Sequence, residues 1–215
     1  GETARTSRIR SPTEDANDSN NPYVVKAGGQ VQWTYVVRNL SGTTLRNIKI
    51  VDDNGTPNDP SDDFVLTVPN YGVNNNGVLD KNETWAFISP VRTAIAGLYT
   101  NVATVQGTVN GVTYFHNDPA SYFGWVAGLQ IVKATNADDP MNPTADEDGN
   151  TPTGQVLEIG KPVVWTYVVR NTGNIALTIN LRDDSSTPTN LADDFAPTYV
   201  SGDTNGNGRI DPGEV

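Results

Sequence analysis

Val31, Trp33, Tyr35 and Val37 alternate with Gln32, Thr34 and Arg38, the period-two pattern of a strand with one buried face. Comparable runs occupy Leu45 to Val51, Thr84 to Ile88, Leu98 to Val105, Val112 to Phe115 and Ser121 to Val126. Clusters of Gly, Asn, Asp and Pro separate them, and these residues favour turns. No segment sustains the 3.6-residue period of a helix. The pattern predicts an all-β chain of short antiparallel strands, about seven to a domain, folded as a sandwich.

The chain also repeats itself. WTYVVRN at Trp33–Asn39 returns at Trp165–Asn171, an offset of 132 residues. Downstream, Asp52 and Asp53 match Asp183 and Asp184, and the DDF triplet at Asp62 matches that at Asp193. Asp80 and Glu83 match Asp211 and Glu214, now at an offset of 131, so one residue is lost, placed here before Leu177. A period of this length is a whole sandwich rather than a solenoid turn. Two domains are expected, 1–127 and 128–215, each folding by itself. The second has no counterpart of Thr84 through Gly124 before the sequence ends at Val215. Either the sequence is a piece of a longer array, or a neighbouring subunit supplies the missing strands by β-augmentation.

Composition narrows the chemistry. Among 215 residues there are 25 Asp and Glu against 14 Lys and Arg, a formal charge of −11. That balance repels nucleic acid and anionic membrane and attracts cations. The absence of cysteine excludes disulfides, thiolate metal sites and a cysteine nucleophile. His116 is the one histidine, and neither a Gly-x-Ser-x-Gly elbow nor a phosphate loop is present. The expectation is that the chain is not an enzyme. No apolar run approaches the ~20 residues of a membrane span, so insertion into a membrane is not expected.

The strongest motif is DTNGNGRIDPGE at Asp203–Glu214. Asp203, Asn205, Asn207, Asp211 and Glu214 place side-chain oxygens at loop positions 1, 3, 5, 9 and 12. The Arg209 carbonyl serves position 7, with glycine at position 6, as in an EF-hand calcium loop. Pro212 and the expected flanking strands put that loop on a β scaffold. In the first repeat GVNNNGVLDKNE offers Asn74, Asn76, the Val78 carbonyl, Asp80 and Glu83, with Gly72 at position 1 where a carboxylate is lost. Further candidate donors are the acidic pairs Asp52, Asp53, Asp62 and Asp63, and their repeats Asp183, Asp184, Asp193 and Asp194. Charges so dense repel one another unless a divalent ion neutralises them. A third acidic region includes Glu14, Asp15 and Asp18, and in the second repeat Asp138, Asp139, Asp146, Glu147 and Asp148. It reads as a metal site or as a flexible connector.

WTYVVRNTGNIALTINLRDD, a DDF turn and then SGDTNGNGRIDPGE together resemble the Ig-like repeat modules, called SdrD B-like or conserved-repeat domains, of large bacterial surface and secreted proteins. The resemblance spans nearly all of both repeats except the N-terminal 25 residues. It implies tandem immunoglobulin-like antiparallel β-sandwich repeats, structural Ca2+, and an extracellular place at the cell surface or in secreted stalks, adhesins or filaments. Expected partners are neighbouring repeats or identical subunits, and a surface glycan or protein in the alternative reading as a calcium-dependent adhesive module. A filament subunit assembled by strand donation is the other alternative.

Overall fold

The computed structural model describes residues 16–74, 76–150 and 154–215. Glu14 and Asp15 lie outside the described residues. The chain is nearly all β and divides into two compact units, 1–125 and 126–215.

Unit 1 carries nine strands among its described residues: β1 Tyr23–Lys26, β2 Gln30–Val31, β3 Thr34–Arg38, β4 Arg46–Asp52, β5 Phe64–Leu66, β6 Thr84–Ile88, β7 Arg92–Thr93, β8 Gly97–Val109 and β9 Val112–Trp125. A five-stranded sheet runs β1-β9-β8-β4-β5, antiparallel except for β1, which lies parallel to β9. Two further pairs, β3 with β6 and β2 with β7, are antiparallel. Alternation decides what is buried: Ile48, Ile50 and Asp52 of β4 and Trp85 and Phe87 of β6 all point inward. Ile48, Ile50, Leu79, Trp85 and Phe87 form the core, flanked by half-buried Tyr35, Val37, Leu45, Leu66, Ala103 and Val105.

The expected Trp strand is broken at Gln32 and Trp33, where the Trp33 amide leaves the ladder for Ser89 Oγ at 2.9 Å. Conversely, two expected strands, Val112 to Phe115 and Ser121 to Val126, are one continuous β9 running through Pro119. β1 pairs only with residues 122–125 of β9, so Pro119 sits where β9 has a partner on one side alone. A residue without an amide hydrogen is tolerated at such an edge.

Unit 2 pairs β10 Leu129–Thr135 with β11 Trp165–Asn171 in antiparallel register, Lys133 opposite Tyr167. A single helical turn, α1 Ala145–Asp148, follows β10. Its capping box sets Thr144 and Glu147 against each other's backbone amides, and Glu147 is buried. Isolated bridges join Leu177 to Ile210 and Asp183 to Phe195. No helix of the described residues is long and apolar enough to cross a membrane.

The residue lost between repeats lies after Leu177, not before it. Leu45 bridges Leu79 as Leu177 bridges Ile210, so those leucines are counterparts. The surplus residue in unit 1 is a β-bulge between Arg46 and Lys49, with Asn47 at a φ of 52°.

Candidate metal loops

Between Asp203 and Glu214 the side chains turn inward and grip their own backbone. Asp203 accepts the amides of Asn207 at 3.1 Å and Gly208 at 2.8 Å. Asn205 Oδ1 accepts the Asn207 amide and Asn207 Oδ1 the Arg209 amide, a run of Asx turns. The amide groups of Asn205 and Asn207 donate to Asp211 Oδ2 at 2.5 and 2.8 Å. Glu214 folds across the loop: Oε2 accepts the Asp211 amide at 2.9 Å, and Oε1 accepts the amide and hydroxyl of Thr204. The Thr204 hydroxyl holds the Glu214 carboxyl below its ordinary pKa. The Arg209 guanidinium reaches the Ala176 carbonyl at 2.5 Å.

Unit 1 builds the same arrangement with fewer carboxylates. Asn74 and Asn76 donate to Asp80 Oδ2 at 3.2 and 2.7 Å, Asn76 Oδ1 accepts the Val78 amide, and Thr44 donates to Asp80 Oδ1 at 2.9 Å. Thr44, then Asn76 and Asn74, lower the Asp80 pKa. Glu83 Oε2 accepts the Asp80 amide at 2.8 Å, but Glu83 Oε1 is buried without a hydrogen-bond partner.

The position-1 assignment of Gly72 is corrected by the backbone. A Cβ on Gly72, at φ +87°, would stand 2.0 Å from the Thr84 carbonyl; a Cβ on Gly202, at φ +122°, would stand 1.7 Å from that of Val215. Thr84 and Val215 each follow the loop glutamate, so Gly72 is the counterpart of Gly202. The loop of unit 1 is one residue shorter, and Val73 alone stands where unit 2 has Asp203 and Thr204, so no carboxylate takes the place of Asp203.

The acidic pairs are spent differently from one another. Asp52 is fully buried and accepts from the Tyr35 hydroxyl at 2.6 Å, Asn101 Nδ2 at 2.6 Å and the Asn54 amide at 2.9 Å. Its repeat, Asp183, accepts from the Tyr167 hydroxyl, the Lys133 ammonium and the Ser185 amide. Lys133, then Tyr167, pulls the Asp183 pKa down to about 2. Burial, then the facing carboxylate, pushes both tyrosines up. Asp53 accepts from the amides of Gly55 and Val102, and Asp184 from that of Ser186. Asp62 accepts from Thr56 and Asn54, and Asp193 from Thr187. Asp63 is half-buried, and Asp194 Oδ1 is buried without a partner. Asp52 and Asp183 are thus tied to the fold by tyrosines that the sequence pattern presented only as core residues. The signal was available, since a Tyr and a buried-strand Asp recur together in both repeats.

Among the described residues, no three His, Cys, Asp or Glu side chains converge as a metal cluster. The donor set of each loop is nevertheless hard oxygen from carboxylates and side-chain amides, the chemistry calcium takes. An unpartnered, buried carboxylate oxygen at Glu83 also fits a cation better than it fits a closed hydrogen-bond network. Asp203, Asn205, Asn207, Asp211 and Glu214 in unit 2, and Asn74, Asn76, Asp80 and Glu83 in unit 1, are the residues that would hold it.

No family model matches the chain, and no curated protein matches it. A solved structure from work on a chaperone–tip adhesin complex vital for synergistic activation of CFA/I fimbriae biogenesis aligns with 89% of this chain and 79% of its own. The identity is 11% and the TM-score 0.26, a likeness too slight to carry an argument.

Proposed function

We propose that the chain is a calcium-stabilised structural repeat of an extracellular bacterial surface protein, stalk or filament, built of immunoglobulin-like sandwiches and without catalytic activity. The observation that carries this reading is the repeated loop. In both units asparagine amides converge on one aspartate while a glutamate closes the loop from three residues further on.

The loop residues orient one another through their own hydrogen bonds. Asx turns fix the backbone, Asp211 or Asp80 gathers the amides, and Glu214 or Glu83 pins the aspartate's own amide. Bound calcium would supply the positive charge that lets these oxygens approach, cross-linking the loop to the strand that leaves it. Ligand that binds only the folded state adds RT ln(1 + [L]/Kd), about 2.7 kcal/mol per site at a hundredfold excess over Kd. Extracellular calcium modules bind at about 10⁻⁴ to 10⁻³ M, so the array would stiffen outside the cell.

Thermal unfolding in millimolar calcium and in excess EDTA tests the reading. The expected result is a calcium-dependent rise in Tm that shrinks in Glu214→Gln for the transition of unit 2. No rise in the native chain would return both loops to solvated turns.

A further inference from the structure

The sequence has five Asn-Gly steps, at Asn54, Asn76, Asn110, Asn205 and Asn207. Glycine leaves its amide open to the side chain before it, because no Cβ stands in the way. In two of the steps an aspartate holds that amide: Gly55 donates to Asp53 Oδ1 at 2.9 Å, and Gly208 to Asp203 Oδ2 at 2.8 Å.

Asn76 and Asn207 are counterparts at the offset of 131, and both are exposed. Each donates its backbone amide to the asparagine two residues before it, Asn74 or Asn205. Each accepts at Oδ1 from the amide two residues on, and each donates Nδ2 to the loop aspartate, Asp80 or Asp211. The glycines that follow share one backbone conformation, with φ of 75° at Gly77 and 74° at Gly208. What differs is Asp203, whose place in unit 1 is taken by Val73. An amide proton held by a carboxylate is harder to remove, since the anion left behind would face a second negative charge.

We propose that Asn76 is a site of spontaneous deamidation and that Asp203 shields Asn207 from the same reaction. A base takes the amide proton of Gly77, and the nitrogen attacks Cγ of Asn76. The new N–C bond closes a five-membered succinimide while the Cγ–Nδ2 bond breaks, and the nitrogen leaves as ammonia with a proton from water. Water then opens the ring at one of its two carbonyls, giving aspartate or, with the chain routed through the former side chain, isoaspartate. The net change is one water in, one ammonia out and one negative charge gained. That charge faces Asp80, whose Oδ2 accepted the Asn76 amide at 2.7 Å. A donor gives way to an acceptor, two carboxylates meet, and the loop of unit 1 loosens with age. No metal takes part, so the step is independent of the calcium reading.

The full chain is aged in mildly alkaline buffer with EDTA and digested, and the products at each Asn-Gly step are measured by mass spectrometry. Deamidation at Asn76 is expected to run at least about tenfold faster than at Asn207. Asp203→Ala should speed Asn207 by a similar factor and leave Asn205, in the same loop, unchanged. Equal rates at Asn76 and Asn207 in the native chain overturn the proposal. Acceleration of Asn205 together with Asn207 would mean that Asp203 merely stiffens its loop, and overturns the shielding. Asn76→Asp, which carries the product charge from the start, should lower the Tm of unit 1 in EDTA; an unchanged Tm overturns the loosening of the loop.

Discussion

Two buried asparagines do the same work in each unit. Asn39 Nδ2 donates to the carbonyls of Thr43 and Leu79, and Asn171 Nδ2 to those of Ile175 and Ile210, so one amide ties the turn after the Trp strand to the candidate metal loop. Asn39 also heads an Asn-x-Ser glycosylation pattern, but a fully buried amide engaged twice offers no nitrogen to a glycan. The pattern was readable in the sequence; the burial that cancels it depends on residues 40 positions away in the chain. The aspartates teach the same lesson, since Asp52 and Asp183 stood out as charges while their tyrosine partners lay on strands distant in sequence. For Asp183 the sign of the pH dependence follows directly. Its pKa is lowered in the fold, so the stabilisation is present above the unfolded value near 4 and is lost as pH falls toward about 2. The tyrosines shift the opposite way: their raised values favour the fold until the unfolded chain ionises, above pH about 10. Chemical denaturation of Asp183→Asn between pH 5 and pH 2 should show a shallower acid decline for unit 2 than the native chain does. Equal declines would mean that Lys133 and Tyr167 do not stabilise the charged form.

At the scale of elements, period two located most strands and missed their joints. β1, β5 and β7 have two to four residues each, too few for alternation to register, and β1 and β7 pair with strands far along the chain. The turn of helix at Ala145–Asp148 is likewise shorter than one helical period can reveal, although its Thr-x-x-Glu capping box is plain. The loop glycines show how an element constrains its neighbour. Gly72 is required because β6 passes directly behind it, so Gly72→Ala must push the Thr84 carbonyl aside and adopt an unfavourable positive φ. Gly77 also has a positive φ, 75°, but nothing stands within 4 Å of its Cβ position. Gly77→Ala should therefore cost about 1 kcal/mol, the conformational term alone, and Gly72→Ala should cost at least about 3 kcal/mol or prevent unit 1 from folding. Equal destabilisation of the two variants in urea would show that β6 yields easily at Thr84.

The two units share sequence but differ in how their described residues pack. In unit 1, β1 and β2 find partners in β9 and β7. At the offset of 132 their counterparts in unit 2, residues 155–158 and 162–163, are in no strand, and Val156 and Ile159 in this stretch are 93% and 101% exposed. Among the described residues β11 pairs with β10 alone, and the odd-numbered edge that Asn39 and Trp33 use in unit 1 meets Glu214 and Gly213 at Asn171 in unit 2. Apolar side chains of unit 2 are exposed: Trp165 is 48% exposed, Tyr199 68% and Val200 87%. Among the described residues unit 2 is held by the β10–β11 ladder, the bridges at Leu177 and Asp183, and the loop closed by Glu214. Fewer buried apolar contacts and more solvent-facing backbone bonds lower the free energy of local opening. Native-state amide exchange should therefore place β10 and β11 in a separate, weaker cooperative unit, exchanging at least about tenfold faster than β4 and β8. Calcium should slow the weaker unit more than the stronger one if Asp203 through Glu214 close around an ion, because that loop supplies a larger share of what unit 2 has to lose. Exchange at equal rates across both units would mean that the β10–β11 pair is held by forces beyond those its hydrogen bonds and Lys133–Asp183 contact supply.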